Sequence, residues 1–183
     1  MKPAKPKKCR VCKSEFKQYS STQIVCSPRC ALAHNRAKAA KAYKQETAAM
    51  KRAQNENDRS HQLKLAQKEF NGFIRARDFK DGCISCGTFQ GKKNAGHYFS
   101  VGAYPEKRFM EENVHLQCER CNSYLSGNIA QYRIGLVKKI GGLAVDRLEG
   151  YSKTEKLTLD DIKEIKIKYR EKRKQLEQLQ EAS

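Results

Sequence analysis

Cys83-Ile84-Ser85-Cys86-Gly87 and, further along, Cys118-Glu119-Arg120-Cys121-Asn122 decide how this chain folds. Each CxxC turn presents two thiolates to one tetrahedral ion, and the two knuckles together read as a four-thiolate zinc site. They enclose 31 residues. Aromatic residues and glycines punctuate that span, so residues 88–117 suit a short irregular β-hairpin better than a helix. The second knuckle leads directly into a helical pattern. The expected unit is ββα, clamped at its ends by zinc, and the metal contributes part of its folding energy.

Upstream lies a second cysteine set, Cys9-x2-Cys12 and Cys26-x3-Cys30, with the spacing of a structural zinc finger. Phe16 and Tyr19 are the apolar contacts such a small unit has available. His34 follows one helical turn after Cys30, but four thiolates already close the site, so His34 reads as a surface residue. From Ala31 to about Asp58 the chain is rich in Ala, Lys and Gln, with good helix propensity and almost no large apolar residues. It reads as a solvated connector or a DNA-facing arm, with a hinge at Asn55, Asn57 and Asp58. Beyond it, Leu63, Ala66, Phe70, Phe73, Ile74 and Arg77 follow helical spacing and predict a helix docked on the hairpin module. Ile129, Tyr132, Leu136, Val137 and Ile140 predict another, stopped by Gly141-Gly142. A last helix opens at a capping box, Thr158 to Asp161, and carries Ile162, Ile165, Tyr169, Leu176 and Leu179 on one stripe. That stripe fits a partner helix, a coiled coil or a solvated surface.

The reading is α+β: small zinc-stapled modules rather than one large core. Its boundaries are a four-cysteine finger at 1–34, a basic helical linker at 35–59, a zinc-stapled hairpin module at 60–140 and a helical extension at 141–183. Composition agrees, since only 38% of residues are apolar, 32% are charged and Trp is absent. Lys and Arg outnumber Asp and Glu by 38 to 20, a net charge of +18. Residues 1–58 carry an excess of ten positive charges and the remainder an excess of eight. A phosphate backbone is the partner such a field selects, because each neutralised phosphate releases condensed counterions. No stretch approaches the ~20 apolar residues of a membrane span. The basic start, Met1 to Lys8, precedes no apolar run and is no secretory signal. The expected location is the cytoplasm, where paired cysteines mean metal more often than disulfide.

Between the later knuckles stand the side chains that could do chemistry: His97 in Gly96-His97-Tyr98, and Asn113 and His115 in Asn113-Val114-His115. Asn122 follows Cys121. With Ser126-Gly127-Asn128, this run resembles the HNH (ββα-metal) nucleases and, more narrowly, the NinG (Rap) proteins of lambdoid phages. The likeness extends to the cysteine finger, the Lys/Ala-rich connector, Phe70-Asn71-Gly72-Phe73-Ile74-Arg75 and Tyr132-Arg133, and is most specific over 83–128. It implies an HNH-like ββα-metal, treble-clef module and a structure-specific endonuclease of phage recombination. Holliday junctions and related branched DNA are the implied substrates, in the cytoplasm of a bacterial host, and other phage or host recombination proteins are further partners.

On that resemblance His97 is the general base, Asn113 the residue that orients it, and Asn122 a ligand of a catalytic Mg²⁺ or Mn²⁺. The sequence departs from the HNH pattern at Gly96, where an Asp or His ligand commonly precedes the base. Asn94 is a weak replacement, and Glu111 and Glu112 are near only in sequence. His115 and Asn128 become substitute ligands; alternatively His97 itself binds the metal. Lys92 and Lys93, beside the site, and Lys107 and Arg108 are candidate DNA contacts, each equally well read as solvated surface. A resolvase that makes paired cuts is usually a dimer; the sequence leaves monomer and homodimer both open. Two other functions compete: a zinc-dependent DNA-binding accessory protein with an inactive HNH-like scaffold, favoured by the missing acidic ligand, and a sequence-specific zinc-finger regulator.

Overall fold

The computed structural model describes residues 6–151 and 156–181, so the basic start of the chain lies partly outside the described residues. At the first cysteine pair, β1 (Lys7–Lys8) pairs antiparallel with β2 (Glu15–Phe16), Lys7 opposite Phe16 and Lys8 opposite Glu15. Lys13 takes a left-handed φ of 65° to close the turn between them. Phe16 is half-buried here, whereas Tyr19 is 96% exposed and packs on nothing, contrary to its expected role. Ser27 caps α1 (Pro28–Asn57): its hydroxyl accepts from Cys30 N and its carbonyl from Ala31 N. Pro28 occupies the first helical position, where its missing N–H costs nothing. The helix runs 30 residues without a buried side chain, about 45 Å at 1.5 Å per residue. The boundary expected at residue 34 falls inside it.

The chain divides into two compact units, Met1–Glu56 and Asn57–Ser183. In the second, the Asp58 carboxylate caps α2 (Arg59–Arg77) by accepting from Ser60 N and His61 N. The hairpin between the knuckles is β3 (Lys93–His97) against β4 (Val114–Cys118), antiparallel, with Lys93 opposite Cys118 and His97 opposite Val114. Single 3-10 turns at Pro105–Lys107 and Glu111–Asn113 fill the connection, and a π turn, Arg120–Tyr124, follows the strand. Three helices complete the unit: α3 (Ile129–Ile140), α4 (Gly142–Gly150) and α5 (Leu159–Glu181).

Two small cores flank the hairpin. On one side Phe70, Phe73 and Ile74 of α2 meet Val114, Ala95 and Tyr169 of α5, with Phe70 edge-on to Tyr169 at 4.7 Å between ring centroids. On the other, Tyr132 and Leu136 of α3 meet Val145 and Leu148 of α4, closed by Tyr98 and Phe99. His97 stands at the junction of strand and loop between them. Segment 141–183, set apart above as an extension, supplies Val145, Leu148, Ile162 and Tyr169 to the buried set, so the hairpin is not closed without it. The α5 stripe is used within the chain: Ile162 and Tyr169 are buried, and Ile165 and Leu176 pack on the α2 core. Its start is a reciprocal capping box, with Asp161 N donating to Thr158 Oγ1 and Thr158 N to Asp161 Oδ2. A side chain at Gly135 would collide with the Ile84 carbonyl, so glycine is what lets α3 press against the first knuckle.

Candidate functional site

The eight cysteines form two groups, Cys9, Cys12, Cys26 and Cys30, and Cys83, Cys86, Cys118 and Cys121; within each, the sulfurs lie within 4.8 Å of one another. Cys12 and Cys26 Sγ are 3.5 Å apart, Cys26 and Cys30 3.6 Å, and Cys86 and Cys118 3.8 Å. Four thiolates around one ion at Zn–S ~2.3 Å stand ~3.8 Å apart, whereas a disulfide requires ~2.05 Å. All eight are free thiols, and each group could hold one zinc ion. His34 lies outside the first group.

Donors around the second group shield its sulfurs. Cys121 N donates to Cys118 Sγ at 3.5 Å, and Asn128 Nδ2 to Cys121 Sγ at 3.4 Å. Asn128 sits at φ 45° before α3 with its Nδ2 donating to a cysteine sulfur, so it supports the thiolate site, and it is not among the residues lining the His97 cleft.

His97 ends β3 and is half-buried. Its Nε2 lies 3.2 Å from the Arg108 carbonyl. A carbonyl only accepts, so Nε2 carries the proton and Nδ1 holds a lone pair with no hydrogen-bond partner among the described residues. Burial holds the imidazole below its ordinary pKa; the Arg108 carbonyl opposes this in part, and the Arg108 guanidinium reinforces it. The ring is therefore neutral at pH 7, which is what a base requires.

Asn113 is fully buried. Its Oδ1 accepts from Phe99 N at 2.8 Å, while Nδ2 donates to the carbonyls of Phe99 and Lys107. One amide thus ties the chain leaving His97 to the turn whose next carbonyl, Arg108, holds the imidazole. Asn113 is a positioning residue. Tyr132 completes the brace from α3, its hydroxyl donating to the Gly96 carbonyl at 2.9 Å. That second brace was visible in the sequence only as one member of an apolar helix face.

His115 does not join His97. It lies in the next register, opposite Gly96, and is buried. Its Nε2 donates to the Glu112 carbonyl at 3.2 Å, leaving Nδ1 to accept from Arg77 Nη2 at 2.9 Å. Burial lowers its pKa, and the neutral tautomer makes the 3.5 Å approach to Asp78 no ion pair. With both nitrogens engaged, His115 has no lone pair for a metal. Sequence reasoning missed the cluster it belongs to. Asp78, 1% exposed, receives Arg77 on both oxygens, Lys139 at 2.8 Å and Leu116 N at 3.0 Å. Burial alone would raise this carboxyl, but the hydrogen bonds it accepts hold it well below the usual range. Nothing in the spacing of Arg77, Asp78 and Lys139 signals their meeting.

His97 and Asn122 line one cleft of about 500 Å³, together with Phe99, Tyr104 and Ile129. Asn94 is paired instead with Gln117, Glu111 is held by Lys172 and Tyr169, and Glu112 lines a different cavity beside His115. No carboxylate lines the His97 cleft. A carboxylate at position 96 would require the buried Gln117 side chain to move, because a Cβ there would overlap its Oε1. Of the candidate phosphate contacts, Lys92 is exposed but paired with Glu119 at 2.9 Å, and Lys93 lies over the Phe79 ring at 5.2 Å. Lys107, expected at the surface, is only 1% exposed, because Phe99 and Tyr104 cover its ammonium at 3.7 and 4.8 Å from their centroids. Arg108 is half-buried and donates to Gln67 at 3.3 Å.

No helix among the described residues is long and apolar enough to cross a membrane. No solved structure matches the chain. The family model described as "Bacteriophage Lambda NinG protein" matches residues 1–181. "Protein ninG" of Escherichia phage 933W is 38% identical over 194 aligned positions, covering 96% of this chain and 95% of its own. Those of Salmonella phage P22 and Escherichia phage lambda are each 44% identical over 119 positions, 64% of this chain and 59% and 58% of theirs. With the match running almost end to end, this chain belongs to the NinG family of bacteriophage proteins.

Proposed function

We propose that this chain is an endonuclease of phage recombination that hydrolyses phosphodiesters in branched DNA, Holliday junctions included, with His97 as general base. One observation carries the reading: a neutral imidazole, pinned through Nε2–H to the Arg108 carbonyl, keeps an unprotonated Nδ1 on a cleft shared with Asn122. In the proposed step Nδ1 takes a proton from water as its oxygen attacks phosphorus and the P–O bond to the 3′ oxygen breaks. Arg108, whose charge depresses the imidazole, is a cation that acts on the proposed base. The net charge of +18 draws the polyanion to it.

The Mg²⁺ or Mn²⁺ that the HNH likeness implies fits these residues poorly. The cleft offers amide, hydroxyl and imidazole but no carboxylate, while protein-held Mg²⁺ usually has one or two. Asn122 is the one neutral oxygen donor at the expected ligand position, and no step above passes through an ion. The same poverty of donors favours a second reading, a zinc-dependent accessory protein that binds junctions without cutting them.

A labelled four-way junction separates the two. With Mg²⁺ or Mn²⁺ added, the wild type is expected to cut and His97→Ala to lose about 10³-fold in rate. Retained cleavage in the variant removes His97 from the role. Binding without cleavage by the wild type under either ion selects the accessory reading.

A further inference from the structure

The His97 cleft has walls that a simple phosphate groove does not need. Beside the polar pair His97 and Asn122 stand Phe99, Tyr104 and Ile129. Tyr104 remains 40% exposed, although its ring is not loose. It meets Phe99 edge-on at 4.7 Å between centroids, and Lys107 Nζ lies against both rings. The Lys107 ammonium packs against both rings, and its charge is also felt by the Glu149 carboxylate. A cation and a second aromatic ring therefore hold Tyr104, while 40% of the residue stays exposed.

An open aromatic face has a definite partner chemistry. Bases inside a duplex present their edges, because their faces are covered by stacking; a base face is available only where the nucleotide is unpaired or turned out of the stack. Stacking on a fixed ring is indifferent to base identity, and a nearby cation suits the attached phosphate. We propose that the cleft binds an unpaired deoxynucleotide, its base stacked on Tyr104 and its phosphate beside His97. This rests on the reading of the cleft as a DNA site and adds the class of nucleotide it takes: one in a single strand or opened at a branch point. Tyr104 is a binding residue in this scheme, and Lys107 and Phe99 hold its ring.

The test uses the full zinc-loaded chain with no Mg²⁺ or Mn²⁺, so a protein that never cuts can still pass. Anisotropy with a fluorescein-labelled oligothymidine and with a duplex of equal length gives the two affinities. Tyr104→Ala is expected to weaken single-strand binding about tenfold, Tyr104→Phe to stay within about twofold, and both to leave the duplex nearly unchanged. Tyr104→Leu, which keeps bulk beside Lys107, should behave as the alanine variant and guards against a folding effect. In the wild type, 5-iododeoxyuridine in the single strand should crosslink to the peptide containing Tyr104. Equal losses on single strand and duplex, full affinity in Tyr104→Leu, or crosslinks confined to α1 would each overturn the proposal. A chain that cuts through His97 yet shows any of these fails here alone.

Discussion

At the scale of single residues, the centre of this protein is an imidazole whose proton is placed by the backbone. The Arg108 carbonyl takes Nε2–H, and Asn113 holds the stretches on both sides of that contact. Because burial and Arg108 depress the His97 pKa, protonation of its imidazole sets in below the ordinary histidine value of ~6.5. If His97 is the base, kcat/KM should be flat from pH 7 to 8 and fall only as pH drops through an apparent pKa below ~6.5. A half-point at or above pH 7 would show that another group supplies the base. The same argument removes His115, whose nitrogens are spent on Glu112 and Arg77, from any titrating role at the cleft.

At the scale of elements, the hairpin is too small to fold on its own two strands. It borrows apolar surface from α2 and α5 on one side and α3 and α4 on the other. Tyr169 is the keystone of the first core, stacked among Phe70 and Phe73 and buried although it lies near the end of the chain. Tyr169→Ala should cost the second unit about 3–5 kcal/mol, the usual effect of truncating a buried aromatic. Denaturant unfolding followed by far-UV dichroism reads this directly. A loss below ~1 kcal/mol would mean that α5 is an accessory rather than part of the core. The stripe of α5 is thus used within the chain as far as Leu176, while Leu179 at its end stays 65% exposed.

At the scale of the whole molecule, charge and metal divide the work. The first unit has one thiolate cluster and a 30-residue helix with no buried side chain. Residues 1–58 hold an excess of ten positive charges. Deleting them should weaken DNA binding and flatten the salt dependence, by ~0.9 in the logarithmic slope for each phosphate that is no longer neutralised. Titrating affinity against salt for the full chain and for residues 59–183 measures this. An unchanged slope would show that α1 does not touch phosphate.

The sequence by itself determined whatever depends on local spacing. The three CxxC pairs, the Cys26-x3-Cys30 pair, the capping box at Thr158 and the helical stripes of α2, α3 and α5 are all written within a few residues. Ligand reach and helix periodicity are properties of neighbours. Only tertiary structure decided the rest. His97 and His115 look alike in sequence, yet strand alternation sends one to a cleft and the other into the Asp78 cluster, whose members Arg77 and Lys139 come from different helices. Lys107 looks like a surface cation until Phe99 and Tyr104 close over it. Which side chains meet, and which face water, follows from the closing of the chain on itself.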